Sequence, residues 1–252
     1  MGEAGLYLYG IVDGRTNVSL GPIGVGEPPA DVRLIPMGDM AAVVSPAPNR
    51  VIAPRMSYLL AHDRVLNSLI HRYTVLPVAF GTVVPGEGEL RACLDRYRSL
   101  LATELERLRD KVEVELKAFW VPEALMRAAG YKPGEFQSTE ALHPNRRYQL
   151  ALEVGQVVAA TVEAWRQRLA PEICSYLAPC CLGYRLNQPR SVRMLINASF
   201  LARRDREPEL GRAVRALADR YANRLSFRYV APLPPYNFVE INLPWRPHQS
   251  EG

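Results

Sequence analysis

The pattern of hydrophobic and polar residues divides the first 110 positions into short strands and helices. The run "LYLYGIV" at Leu6–Val12 is rich in β-formers and ends at an Asp-Gly turn signal. Two further apolar runs, "VRLIP" and "MAAVVSP", flank Gly38-Asp39, which is typical of a β-hairpin. Apolar residues then recur at helical spacing over Met56–Ile70 and over Glu89–Asp110, on either side of a short buried strand in "TVLPVAFGTVV". The pattern predicts an N-terminal α+β domain over residues 1–109.

The next segment carries the clearest alternation in the chain. In "KVEVELKAFW" small and large apolar residues alternate with charged ones, so we expect one buried face and one wet face that includes Glu113. After an irregular stretch over 121–145, a long helix is predicted for Arg147–Leu177, with Pro171 as a point where it kinks or divides. The strands "CCLGYRLN" and "SVRMLINASFLA", the helix "EPELGRAVRALADRYANR" and the strand "LSFRYVA" follow. This βαββαβ order predicts a ferredoxin-like domain over residues 110–231.

Residues 232–252 form a tail after both predicted domains. Its stretch "APLPPYNFVEI" carries large apolar side chains where chain ends are usually polar and frayed. The proline pair cannot lie in a helix interior, so an extended segment is expected. Because neither alternating face is purely apolar, we expect the segment to pack on its own chain, across the junction of the two domains; the competing interpretation is a free recognition peptide. The side chains expected to dock are Tyr236, Phe238, Val239 and Ile241.

Few residues have the spacing of a catalytic or metal site. The four cysteines form no C-x-x-C pair and have no histidine nearby in sequence, so buried thiols in a reducing compartment are expected. His62 and His71 point to opposite sides of one predicted helix and cannot share a metal. A phosphate-binding loop, a dinucleotide fingerprint and a nucleophile elbow are all missing. We therefore predict no catalytic, cofactor-binding or metal-binding residues, and an enzyme is the weakest of our functional hypotheses.

Composition and charge narrow the class of protein further. With 48% apolar and 23% charged residues, and without an apolar run of membrane-spanning length or a secretory signal, the chain is expected to be cytoplasmic, with no membrane partner. The stretch between Gly183 and Arg228 contains eleven arginines and four acidic residues. Its net charge is therefore +7, compared with +5 for the whole chain. Five of the arginines are expected to form a solvated or partner-facing basic surface: Arg203, Arg204, Arg206, Arg212 and Arg215.

The same βαββαβ order is that of the RNA recognition motif, so a nucleic-acid-binding module is the alternative hypothesis. That motif stacks bases on aromatic residues inside its two central strands. Here the interiors of both strands lack aromatic residues, which lie only toward the ends as Phe119, Trp120 and Phe200. Nucleic acid is therefore not the expected partner.

Several segments taken in order resemble those of the gas vesicle protein GvpF/GvpL family. The resemblance runs from about Leu6 to Ile241 and rests on "LYLYGIV", "GDMAAVVSP", "AHDRVLNSLI", "TVLPVAFGTVV", "KVEVELKA", "NASFLARRD" and "PLPPYNFVEI". Leu233 stands where the usual tail of that family has tryptophan. The resemblance implies an accessory protein of gas vesicle assembly, cytoplasmic or vesicle-associated, without established catalytic residues. It also implies binding to the hydrophobic shell protein GvpA and to other Gvp proteins.

Overall fold

A computed structural model describes residues 4–15, 17–48, 51–132, 143–241 and 243–245. The chain divides into two compact units, Met1–Glu113 together with Pro232–Gly252, and Val114–Ala231. The mixed helix and sheet class predicted from the sequence is confirmed. The predicted domain boundaries, which divide the chain into 1–109, 110–231 and 232–252, stay a prediction.

The first unit is built on a six-stranded sheet. Its strands follow the order β2-β3-β4-β1-β5, and β6 also pairs with β1. Gly38, with a φ of 72°, turns the chain between β3 and β4 in a conformation that glycine adopts without strain, as the hairpin pattern predicted. The strands are β1 Ala4–Asp13, β2 Ser19–Pro22, β3 Asp31–Met37, β4 Met40–Pro48, β5 Val75–Pro77 and β6 Val83–Val84.

Strand β2 was not predicted from the sequence. It is four residues long and contains Gly21 and Pro22, so its composition resembles that of a loop. The backbone partners that make it a strand come from β3, where Gly21 lies opposite Val32.

Three helices complete the first unit: α1 Met56–Leu69, α2 Glu87–Arg96 and α3 Arg98–Arg107. The single helix predicted over Glu89–Asp110 is wrong, because the backbone leaves helical geometry at Tyr97, with φ −97° and ψ 7°. The break does not change the spacing of the buried leucines, so the buried stripe continues across it. The apolar spacing alone therefore predicts one helix. The stripe consists of Leu90, Leu94, Leu101 and Leu105.

Most of a four-stranded sheet, in the order β10-β7-β9-β8, belongs to the second unit. Its elements are β7 Lys111–Trp120, α4 Pro122–Ala128, α5 Pro144–Leu177, β8 Gly183–Leu186, β9 Met194–Arg203, α6 Glu207–Arg220 and β10 Leu225–Leu233. Apart from the short α4, this is the predicted βαββαβ order. Helix α5 runs for 34 residues and is not divided at Pro171.

The three helices and the sheet of the second unit share one hydrophobic core. Val114 and Leu116 of β7, Ile173 of α5, Phe200 of β9 and Leu210 of α6 are all buried in it. In α6 the positions Leu210, Val214 and Leu217 are buried while the intervening arginines are exposed, which is the amphipathic pattern of a helix packed on a sheet.

Candidate functional site

The C-terminal segment folds into a turn at its proline pair. The amides of Phe238 and Val239 both donate to the Pro235 carbonyl, at 3.0 and 3.2 Å, and the Tyr236 amide donates to the Pro234 carbonyl at 2.8 Å. The extended conformation expected from the sequence is therefore wrong at these residues. Proline lacks a donor but keeps its carbonyl, and here the carbonyls accept from the amides that follow them.

Two buried carboxylates of the first unit accept hydrogen bonds from this segment. Glu113, only 3% exposed, accepts from the backbone amide of Asn237 at 2.8 Å and from its side-chain amide at 2.6 Å. Glu104, 6% exposed, accepts from the backbone amide of Glu240 at 2.9 Å. Because a buried carboxylate is costly unless hydrogen-bonded, these contacts favour the docked segment.

Arg107 joins Glu104 to the same segment. Its Nε and Nη2 donate to the two carboxylate oxygens of Glu104 at 2.7 and 2.6 Å, and Nη2 also donates to the Phe238 carbonyl. The hydrogen bond from Arg107 is the main cause that holds the pKa of Glu104 below its ordinary value. Glu104 therefore stays ionised as an acceptor for the segment.

A cluster of buried rings lies beside Tyr236. The Tyr236 hydroxyl donates to Oδ1 of Asp63 at 3.5 Å, and its ring centroid lies 6.3 Å from that of His62. The Tyr7 hydroxyl accepts from the Gly81 amide at 2.9 Å and lies 3.0 Å from Nδ1 of His62. Burial lowers the pKa of His62 to about 4 and raises that of Tyr236. The imidazole is therefore neutral at physiological pH and packs among these rings.

The four predicted docking side chains differ in how far they are exposed to solvent. Phe238 is buried, whereas Tyr236 remains 38% exposed. Val239 and Ile241 are half-buried and line a small cavity of about 120 Å³ together with Ile11, Leu76 and Leu101, among others. Ile11, Leu76 and Leu101 belong to the first unit, as the segment itself does. The predicted position across the domain junction stays a prediction.

Glu104 and Glu113 were not identified from the sequence. Glu113 occupies a charged position of the alternating strand and was expected on the wet face, which its burial shows to be wrong. Nothing in the local pattern separates it from Glu115. Glu104 does carry a signal, because it follows Leu101 by three residues and precedes Leu108 by four, so it lies on the buried stripe of α3.

The predicted basic surface is partly neutralised by acidic neighbours. Arg203 donates from Nε and Nη2 to the two oxygens of Asp205, both at 3.0 Å, and Arg206 pairs with Glu209 at 2.6 Å. Arg212 and Arg215 are exposed on α6, and Arg204 is half-buried. Within the described ranges these three form no ion pair. The unpaired exposed charge of the predicted basic surface is therefore carried mainly by Arg212 and Arg215.

Strand β8 lies at the edge of the second sheet. It pairs with β9 in antiparallel register, with Tyr184 opposite Phe200, and is the last strand in the sheet order. Its neighbourhood exposes apolar side chains, with Leu182 and Leu186 each 54% exposed and Tyr184 40% exposed. An edge strand with exposed apolar side chains suits addition of another strand.

No group of three or more histidine, cysteine, aspartate or glutamate side chains is placed to hold a metal ion in the part of the chain that the structure describes. Among the helices built from described residues, none has both the length and the apolar character to cross a membrane.

Comparison with known proteins identifies relatives over nearly the whole chain. The family model for gas vesicle synthesis protein GvpL/GvpF matches residues 5–240. Gas vesicle protein F of a Streptomyces species is 33% identical over 241 residues, which are 93% of this chain and 99% of that protein. Gas vesicle protein F of Microcystis aeruginosa is 26% identical over 242 residues, which are 94% of this chain and 98% of that protein.

Solved structures show the same fold. The crystal structure of the gas vesicle protein GvpF from an Anabaena species matches with a TM-score of 0.73 at 24% identity, over 95% of this chain and 99% of that one. The crystal structure of GvpF from Microcystis aeruginosa matches with a TM-score of 0.70 at 24% identity, over 93% and 98%.

Proposed function

The chain belongs to the GvpL/GvpF family of gas vesicle synthesis proteins, and from this we propose that it is an accessory protein of gas vesicle assembly that binds the shell protein GvpA and other Gvp proteins. Its role in gas vesicle biogenesis follows from the family. Beyond this role, we propose that the protein acts in the cytoplasm at the growing vesicle. It acts there by binding its Gvp partners rather than by catalysis.

The edge strand β8 is the observation that supports this proposal best. A shell subunit with an apolar gas-facing surface aggregates unless its strand edges and apolar patches are covered before assembly. Strand β8 is the last strand of its sheet and carries the exposed side chains of Tyr184 and Leu186. Strand addition at this edge covers an edge of the shell protein and buries apolar side chains at the same time.

A capture experiment tests the proposal. Purified full-length protein is mixed with the shell protein and with each other Gvp protein, and complexes are isolated through a tag on this chain. We expect the shell protein to be retained by the wild type. The double variant Tyr184→Lys with Leu186→Lys should bind about tenfold more weakly, because charges on an edge oppose strand addition.

The matched control changes another exposed apolar pair of the same unit, Tyr148→Lys with Leu152→Lys, whose side chains are 67% and 49% exposed. This variant should bind as the wild type does. Failure of the wild type to retain any Gvp protein contradicts the proposal, and equal weakening in both double variants contradicts the assignment to β8.

The location is tested separately in cells that form gas vesicles. Fractionation should find the protein in the cytoplasm and as a minor component of floating vesicles, and deletion of its gene should abolish or delay vesicle formation. Normal vesicle formation in the deletion strain would contradict an assembly role.

A further inference from the structure

One face of helix α5 continues beyond the part of the helix that packs in the core. Residues on this face recur at spacings of three, four or seven positions, which keeps them on one side of the helix. Within the core they are Val162, Leu169, Ile173 and Leu177, all buried. The same spacing continues toward the N-terminus through Ala159, Gly155, Leu152 and Tyr148, all exposed. We call these last four residues the exposed stripe.

The face changes from buried to exposed near one end of the sheet. Arg166 donates from Nη2 to the carbonyl of Met194 at 3.0 Å, and Met194 is the first residue of β9. One turn before Arg166, Val162 is the first buried residue of the helix. Residues 144–161 therefore lie before the buried part and extend for about 27 Å, at 1.5 Å per residue. We call them the N-terminal segment of α5.

The composition of the N-terminal segment is that of a helix that another chain covers. The stretch Tyr148–Val162 contains a single charged residue, Glu153. At 100° per residue Glu153 lies at least about 100° around the helix from every position of the exposed stripe. Helices that face water usually carry charges on the wet face. The exposed stripe is instead an uncharged face.

Gly155, within the exposed stripe, also indicates the close approach of another chain. Glycine weakens a helix interior, so it needs a reason there. A Cβ added at Gly155 would meet no atom of the described chain within 4 Å outside its own helical turn. The contacts of the described chain therefore do not explain the glycine. Its smallness does suit a second helix that packs closely against this point.

The exposed stripe is complementary to itself in antiparallel order. When a second copy of α5 runs antiparallel along the first with Tyr148 opposite Ala159, Leu152 lies opposite Gly155, because both pairs share one centre. Each large side chain then meets a small residue, as closely packed helices require. A parallel pair would place Tyr148 against Tyr148 and leave a gap between the two glycines.

The length of the N-terminal segment fits the same register. The antiparallel pairs are centred between Glu153 and Val154, within about one residue of the middle of 144–161. This register therefore overlaps the two N-terminal segments almost completely, and neither copy reaches the buried part of the other helix at Val162. We propose that a second copy of this chain covers the exposed stripe, so that the protein forms a twofold-symmetric dimer through antiparallel N-terminal segments of α5. This surface shares no residue with the edge strand β8.

Analytical ultracentrifugation of the full-length protein tests the dimer. A contact one helix wide is a small interface, so we expect a reversible dimer with a dissociation constant on the order of 10–100 µM. Leu152→Glu should weaken it at least about tenfold, because the carboxylate would be buried without a partner. Val157→Glu is the matched control, since both positions are exposed, by 49% and 42%, and lie about 140° apart around the helix. It should leave the dimer unchanged, and melting curves verify that both variants fold.

Cysteine cross-linking tests the register. Leu152→Cys and Gly155→Cys are prepared as separate proteins and oxidised alone and mixed, with the wild type and its four native cysteines as the background. The mixture should form a disulfide-linked dimer several times faster than either variant alone, because positions 152 and 155 face each other only in the antiparallel register.

Four outcomes would overturn the proposal. They are a protein that stays monomeric up to about 500 µM, equal effects of Leu152→Glu and Val157→Glu, and cross-linking of either cysteine variant alone as fast as the mixture. The fourth is capture of the shell protein by the wild type but not by Leu152→Glu, which would assign the exposed stripe to the shell protein instead of a second copy.

Discussion

Glu113 and Asn237, 124 residues apart in sequence, form a pair in which a buried carboxylate accepts from both the backbone and the side-chain amide of the asparagine, at 2.8 and 2.6 Å. The pair fixes the orientation of Asn237 at the centre of the proline-initiated turn. It shows that the C-terminal segment is held by directed polar contacts as well as by its apolar side chains.

Loss of this acceptor should destabilise the protein. Glu113→Ala leaves two donors of Asn237 without their acceptor, and we expect the free energy of unfolding to fall by about 1.5–3 kcal/mol. Glu115→Ala is the matched control on the same strand, because Glu115 is half-buried and its main contact is an ion pair with Lys117 at 2.6 Å. Urea denaturation measures both. A loss for Glu113→Ala no larger than that for Glu115→Ala would contradict the inferred role.

Removal of the whole segment should have a larger effect. Truncation after Ala231 removes the buried Phe238 and leaves Glu104 and Glu113 without the amides that they accept from. Burial of a phenylalanine side chain contributes about 1.5–3 kcal/mol, so the melting temperature should drop clearly. Phe238→Ala in the full-length chain should give part of the same loss.

The truncation also decides between the two interpretations of the segment. If the truncated protein has the same melting temperature as the full-length protein and loses only the binding of Gvp proteins, the segment is a recognition peptide. If melting falls and binding weakens as a consequence, the segment is structural.

Stability should decrease in mild acid through His62. Burial lowers the pKa of the folded state to about 4, whereas the unfolded chain has the ordinary value near 6.5. Between these values only the unfolded state binds the proton, so the free energy of unfolding falls as the pH drops from about 6.5 towards 4. The total loss is at most about 3.5 kcal/mol, since one pKa unit corresponds to about 1.4 kcal/mol.

The experiment compares urea denaturation at pH 7 and pH 5. His62→Gln should show a smaller difference between the two pH values than the wild type, whereas His71→Gln, at an exposed position, should show the same difference. Glu104 adds a separate loss at lower pH. Its pKa is lowered in the folded state, so its contribution is present above the unfolded value of about 4.3 and is lost as the pH falls through the folded one. An unchanged pH profile in His62→Gln would show that the acid sensitivity arises elsewhere.

The basic surface should bind nucleic acid only weakly. Arg203 and Arg206 are already paired with acidic neighbours, which leaves few cations for phosphates. We expect a dissociation constant no better than roughly 10⁻⁴ M at physiological salt, with the steep salt dependence of counterion release. A gel shift with submicromolar, sequence-dependent affinity would contradict this. Arg212→Glu with Arg215→Glu should instead weaken binding to an acidic protein surface.

Local patterns in the sequence were sufficient for most of the regular elements and for the family. The hairpin at Gly38-Asp39, the amphipathic helix α6 and the order of elements in the second sheet all follow from turn chemistry and from the spacing of apolar residues. The residues that give each of these signals lie within a few positions of each other, so the signals can be recognised without knowing the fold. The family resemblance rests on segments in a fixed order, which is likewise a property of the chain alone.

Tertiary structure alone decided where the charged residues lie and what the C-terminal segment contacts. Glu113 and Glu115 occupy equivalent positions of one alternation, yet only Glu113 is buried, because Asn237 reaches it from the far end of the chain. The partners that make β2 a strand lie on β3, 9 to 14 residues further along the chain, and its own loop-like composition does not indicate them. The break at Tyr97 leaves the apolar period of α2 and α3 intact. The sequence by itself determined most of the helices and strands and the family, because both depend on the spacing and order of residues along the chain. The fold determined which polar groups meet, because a hydrogen bond between residues more than 100 positions apart leaves no periodic trace in either neighbourhood.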